Sequence, residues 1–209
     1  MAINRSHVMA ATRAARGTVV ILVLAVLAGC ASALSASVTS FQQWPSGVVG
    51  QTYALAAPPA EASRLEYSAY QDMLRAAIGA TGLVEAVDDQ PARFTVTFHY
   101  GSDATQIVRR EPADPHFYGG FYGGRPWGWG GYYGWPIWVA VPQDAWRNTL
   151  TVEIRDAQRD KAEVYRSTAT TLSTNPHAMP QLMPYLMQAV FDNFPGNNGQ
   201  VREVRYRRR

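Results

Sequence analysis

Cys30 is the sole cysteine among 209 residues, and it closes the tetrapeptide Leu27-Ala28-Gly29-Cys30. An ionised thiol is a strong nucleophile, so this position is open to alkylation, while an internal disulfide is impossible. The remaining groups able to carry chemistry are scattered. His7, His99, His116 and His177 show no pairing at metal-ligand spacing, so no metal site is expected. There is no GxSxG elbow, no phosphate-cradling glycine loop and no HExxH. Asp88, Asp89, Glu153, Asp156 and Asp160 are the carboxylates that could serve as acid and base, and glycan cleavage would need two of them across one cleft. Their positions in turns or on the wet face of a hairpin are explained by solvation alone. The expectation is a protein that is not an enzyme and holds no cofactor.

The residues before Cys30 decide what its thiol meets. Met1 to Gly17 carry Arg5, Arg13 and Arg16 and no acidic residue, and they lead into TVVILVLAVLAG, Thr18 to Gly29. A basic stretch followed by a short apolar block reads as a secretory signal, because the block falls below the roughly 20 residues a helix needs to cross a bilayer. Leu27, Ala28 and Gly29 then form the cleavage motif.

Leu27-Ala28-Gly29-Cys30 resembles the lipobox of bacterial lipoproteins. The resemblance implies that the Cys30 thiol receives a diacylglyceryl group, that residues 1–29 are removed, and that the new amine is acylated. Met1 or Met9 can be the start, since Met9 to Cys30 has the length of an ordinary lipoprotein signal. Cleavage leaves 209 − 29 = 180 residues, and loss of three signal arginines leaves 19 − 3 = 16 basic residues against 16 acidic ones. That balance removes the electrostatic case for a nucleic-acid partner. Several acyl chains, each buried methylene contributing about 0.8 kcal/mol, would hold the protein to its membrane durably. Ala31 is not the aspartate that favours inner-membrane retention, so the implied address is the periplasmic face of the outer membrane.

The elements that must carry these groups can be read from periodicity. Residues 30–36 form a spacer of about seven residues before the first strand-like run, too short to let the domain stray more than roughly 25 Å from its anchor. SVTSFQQW (Ser37 to Trp44) and QTYAL (Gln51 to Leu55) read as strands separated by a turn at Pro45 to Gly47. A helix follows, with Ser63 as N-cap, Glu66 three residues on and Gly82 as its stop, and with Tyr67, Tyr70, Leu74, Ala77 and Ile78 on one face. Phe94, Val96, Phe98 and Tyr100 alternate with Thr95, Thr97 and His99 as a strand with one wet face. Leu150, Val152 and Ile154 alternate likewise and pair through DAQRDK with a second strand, a β-hairpin. Leu182, Leu186, Ala189, Val190 and Phe194 line a last helix, which begins or kinks near Pro184 and closes at Pro195 and Gly196. The expected fold is α+β: a single domain over 37–195, an antiparallel or mixed β-sheet with two main helices packed on one face.

In this order the motifs resemble a group of bacterial lipoproteins that share domain of unknown function 4136. The matches are the lipobox, QTYAL at Gln51 to Leu55, FTVTF at Phe94 to Phe98, the hairpin from Thr149 to Ala169, and the closing helix with Phe194 and Pro195. Members often have Trp-Arg-Gly where this chain has Tyr165-Arg166-Ser167, and they commonly carry a Gly/aromatic run before the hairpin. The resemblance implies fold and location and brings no activity.

That run is HFYGGFYGGRPWGWGGYYGWPIW, an insertion at 116–138 with eight of the chain's 17 glycines and ten of its 6 + 11 + 7 = 24 aromatics. Its glycines make the backbone costly to order, and Pro126 and Pro136 bar a regular central strand, so an irregular insertion between core strands is one reading. The other is a contact surface formed by Trp127, Trp129, Tyr132, Tyr133, Trp135 and Trp138, because exposed aromatics at this density call for a partner. A membrane interface ranks first, an envelope protein second, and cell-wall glycan, bound or modified, third. The 196–209 tail ends in VREVRYRRR and is expected to be solvated and disordered, or to bring Arg207, Arg208 and Arg209 to an anionic surface. Oligomeric state is not legible.

Overall fold

A computed structural model of the protein describes residues 33–60, 63–87, 90–112 and 138–207. In chain order the elements are β1 (Ala33–Gln42), β2 (Thr52–Leu55), α1 (Arg64–Ile78), β3 (Val84–Glu85), β4 (Phe94–Pro112), β5 (Trp138–Asp156), β6 (Ala162–Ser173), α2 (Met179–Phe191) and β7 (Val201–Arg207). The strands form one sheet in the order β3-β2-β4-β5-β6-β1-β7. It is mixed: β2 runs parallel to β3 and β4, whereas β4, β5, β6 and β1 pair antiparallel in succession. With its two helices this is an α+β fold. The chain divides into a large unit, Ala36–Glu203, and a small one made of the chain ends, Met1–Ser35 and Val204–Arg209.

The period-two pattern of β5 becomes burial. Leu150, Val152 and Ile154 are sealed from solvent, and Thr151 on the opposite face bonds Thr168 of β6 hydroxyl to hydroxyl at 3.0 Å. The β5–β6 turn closes through Asp156, which accepts from the Gln158 N–H, and through left-handed Asp160 and Lys161.

Helix α1 starts after Ser63, but that side chain makes no capping hydrogen bond, so the expected reciprocal cap is not formed. Glu66 lies in the first turn, where the helix dipole favours its charge. The helix ends in a single tight turn and then at Gly82, whose φ of +79° suits glycine, and a Cβ there would press on Val49 at 3.4 Å. Tyr67 stacks on Phe98 with ring centroids 4.5 Å apart, and Tyr70 meets Tyr100 edge-on at 4.9 Å.

Helix α2 begins at Met179, five residues before Pro184, and runs through it without breaking. Pro180 occupies the first turn, where no N–H is needed, and Pro184 forfeits the bond to the Pro180 carbonyl. Burial of Leu182, Met183, Leu186, Met187 and Val190 outweighs that loss. Tyr165 of β6 donates its hydroxyl to the Val190 carbonyl and stacks on Phe191, while Trp44 packs on Phe94, Tyr165 and Phe194. Among the described residues no helix is long and apolar enough to cross a membrane.

Both ends of the described chain also differ from expectation. The first strand starts at Ala33, ahead of Ser37, because its inward positions include the small Ala36 and Ser40, which hide the alternation. The C-terminal residues 201–207 are a β-strand, not a disordered end. Val201, Val204 and Tyr206 favour an extended chain, and Arg202 grips the Asp192 carboxylate at 2.7 Å and also the Asp192 carbonyl.

Candidate contact surface

Strands β4 and β5 are 19 residues each and stay paired from Phe94 opposite Asp156 to Pro112 opposite Trp138. Their neighbours leave early. Strand β2 accompanies β4 only as far as Val96, and β6 accompanies β5 only from Trp146 onward. From Thr105–Ala145 to Pro112–Trp138 the pair therefore continues as a two-stranded ribbon, with no third strand among the described residues. At ~3.4 Å per residue it projects about 25 Å. Pro142 is accepted in β5 because the strand has a neighbour on one side only at that point.

Alternation gives the ribbon two faces. On one, Val108 lies opposite Pro142, Arg110 opposite Ala140 and Pro112 opposite Trp138; on the other, Ile107 lies opposite Gln143, Arg109 opposite Val141 and Glu111 opposite Val139. Val108 is 72% and Trp138 59% exposed, with Val139 and Val141 also open to solvent. Gln106 donates to Asp144 at 3.3 Å, and Arg109 lies 3.7 Å from Glu111. Apolar side chains thus alternate with two guanidiniums over a ribbon that has too little covered surface to account for them.

Of the residues singled out by sequence, Trp138 sits in the last described pair of this ribbon. Trp127, Trp129, Tyr132, Tyr133 and Trp135 fall in 113–137, and Leu27, Ala28, Gly29, Cys30, Arg208 and Arg209 in the termini, all outside the described residues. Arg207 is the last residue of β7.

Among the described residues the candidate carboxylates Glu153 and Asp156 do not share a sheet face. Asp88 and Asp89 lie outside the described residues. Asp156 is not a solvated turn residue but fully buried, with both oxygens bonded to Arg93 at 3.1 and 2.9 Å. Arg93 also lies over the Phe94 ring, 4.9 Å from its centroid. That pairing, then the Gln158 N–H, holds the Asp156 carboxyl below its ordinary value against the opposite pull of burial. Glu153 is tied to Arg166 at 3.0 Å and to Arg155 at 3.3 Å on the other sheet face. An open groove of about 290 Å³ beside Phe41, Gln43 and Asn198 contains one carboxylate, Glu163, itself bonded to Arg166 at 2.6 Å. Among the described residues no group of three or more His, Cys, Asp or Glu could hold a metal ion.

A mixed sheet with two helices and a long projecting hairpin defines the class: an α+β fold. The family model described as Domain of unknown function (DUF4136) matches residues 37–196, and the chain belongs to that family. No curated protein matches it. Among solved structures it is similar to a PDZ domain protein from Parabacteroides distasonis ATCC 8503, with TM-score 0.52 and 9% identity over 84% of this chain. The match spans 39% of that longer protein, and the likeness is one of fold. The chain also aligns with the PelC dodecamer from Paraburkholderia phytofirmans, with TM-score 0.42 and 11% identity over 78% of this chain and 99% of that one.

Proposed function

We propose that the protein is a non-catalytic lipoprotein of the cell envelope, anchored by acyl chains on Cys30 at the periplasmic face of the outer membrane, and that it works by surface contact. The observation that carries this reading is the ribbon, which ends in exposed Trp138, Val139 and Val141 where the Gly/aromatic run joins it. Tryptophan and tyrosine prefer the membrane interface, where the ring is buried and the polar tip stays wet. Residues 37–195 act as one α+β domain with both helices on one sheet face. Register supports this: Phe98, Val152 and Ser167 share the face against which Tyr67 packs, and Tyr165, stacked on Phe191, belongs to it too.

Sedimentation of residues 32–209, without acyl chains, separately with phospholipid vesicles and with cell-wall sacculi, tests the contact. The comparison is a version whose 116–138 run is replaced by a Gly/Ser linker. Vesicle binding that vanishes with the run supports the reading. Binding to sacculi instead identifies a glycan partner, and equal pelleting with and without the run removes the contact role.

A further inference from the structure

We propose that the β4–β5 ribbon and the acylated Cys30 engage the same membrane leaflet, so that the protein stands on its own membrane at two points. This rests on the lipid-anchor reading above and adds an orientation to it.

Strand register supplies the geometry. Ser37 pairs with Thr170, Thr170 with Thr149, and Thr149 with Gly101, so these four residues lie level across the sheet. Each step is antiparallel, hence β1 and β5 run in the same direction. Moving from Gln42 back to Ala36 is therefore moving toward Trp138. The chain enters the large unit at the end of the sheet from which the ribbon projects, and the Ala157–Arg159 turn marks the opposite end.

Lengths then decide what the anchor permits. Cys30 is six residues before Ala36. Fully extended, that link spans at most about 20 Å. Ala36 is level with Ser102 and Asn148, and the Pro112–Trp138 pair lies ten residues farther along β4 and β5. At ~3.4 Å per residue that is about 34 Å. In an upright pose the ribbon passes the plane of the anchor even when the link is taut; leaning the sheet lays the ribbon along the surface. Poses that turn the ribbon away leave Trp138 and Val139 in water, and poses that bring it down bury them. At about 25 cal/mol per Å² of apolar surface, the second set wins.

The charges limit the depth. Arg109 and Arg110 stand two to three residues behind the last pair, one on each face. Guanidiniums at that distance match lipid phosphates while Trp138 lies just beneath, whereas deeper insertion would strip them of water. The occupant of this surface is thus the phospholipid leaflet that holds the acyl chains, and not a second membrane.

The test uses the full acylated chain in vesicles, which has no free thiol once Cys30 is modified. Val139→Cys in the ribbon and Gln158→Cys at the far turn, both exposed positions, each receive an environment-sensitive fluorophore. Nitroxide lipids are placed either in the protein's own vesicles or in a second, protein-free population. The expected result is loss of Val139→Cys fluorescence from nitroxides in the same vesicle and no loss at Gln158→Cys. Equal response at both positions, or quenching of Val139→Cys by the second population only, overturns the proposal. A protein that fails to float with vesicles at all refutes the anchor instead, and the orientation with it.

Discussion

Pro112 and Trp138 face each other as the last pair of an unbroken antiparallel ribbon that begins at Phe94 and Asp156. Because Trp138 is 59% exposed, contact and stability should separate there. Trp138→Ala is expected to weaken vesicle binding of the acyl-free domain by about tenfold, equivalent to about 1.4 kcal/mol. The thermal midpoint should not move. A fall in midpoint would show that Trp138 serves the fold.

The core should behave in the opposite way. Phe98 is buried, and Tyr67 stacks on it. Phe98→Ala removes that stack and leaves a cavity, so urea denaturation is expected to show a loss of about 3–5 kcal/mol. Vesicle binding by the fraction that remains folded should be unchanged.

Tyr165→Phe deletes one hydroxyl and keeps the ring against Phe191 and Trp44. The Val190 carbonyl loses its hydroxyl partner. A cost of about 1–2 kcal/mol is expected by urea denaturation, and a value near zero would mean that the bond contributes nothing net.

Acid should act through Asp156. Its carboxyl titrates below its ordinary value because Arg93 pairs with the charged form, whereas in the unfolded chain it returns to about 3.9. The folded state then binds fewer protons than the unfolded one in that window. The stabilisation is complete above the unfolded value and fades as pH falls through the folded one. Asp156→Asn is expected to lower the urea midpoint at neutral pH and to shrink the further drop on going to about pH 3. An unchanged acid limb would assign that limb to other carboxylates.

The C-terminal strand has its own test. Arg202 ties β7 to Asp192, just past the end of α2. Arg202→Ala should speed amide hydrogen exchange at Val201 and Glu203 while Leu150 and Val152 stay protected. Equal protection in both proteins would show that sheet pairing alone holds the strand.

Much of this fold is legible in local pattern. The period of two in Leu150, Val152 and Ile154 finds β5 and its hairpin, and the period near 3.6 in Tyr67, Tyr70, Leu74 and Ile78 finds α1. The ribbon is not, because Gly101, Ser102 and Asp103 look like a strand end and Pro142 looks like a break. Both are tolerated where a strand has one neighbour and two wet faces. The alternation of Ile107 and Arg109 with Val108 and Arg110 carries no face-specific signal there. Asp156 could have been read correctly, since it lies two residues from Ile154 and so shares its inward face. Trp138 is a case where composition pointed to the surface and strand pairing supplied its position.

Ser40 and Ser167 share a hydroxyl contact at 2.9 Å although 127 residues separate them. The strand that comes first in the chain is flanked in the sheet by β6 and β7, both from its last quarter. A ribosome delivering the chain from its amino end therefore releases β1 long before β6 and β7 exist to flank it. Closure across such a separation is slow, and the uncovered strand is prone to the wrong company in the meantime. The waiting time of β1, rather than any step in the hairpins, is what a chaperone for this protein would have to manage.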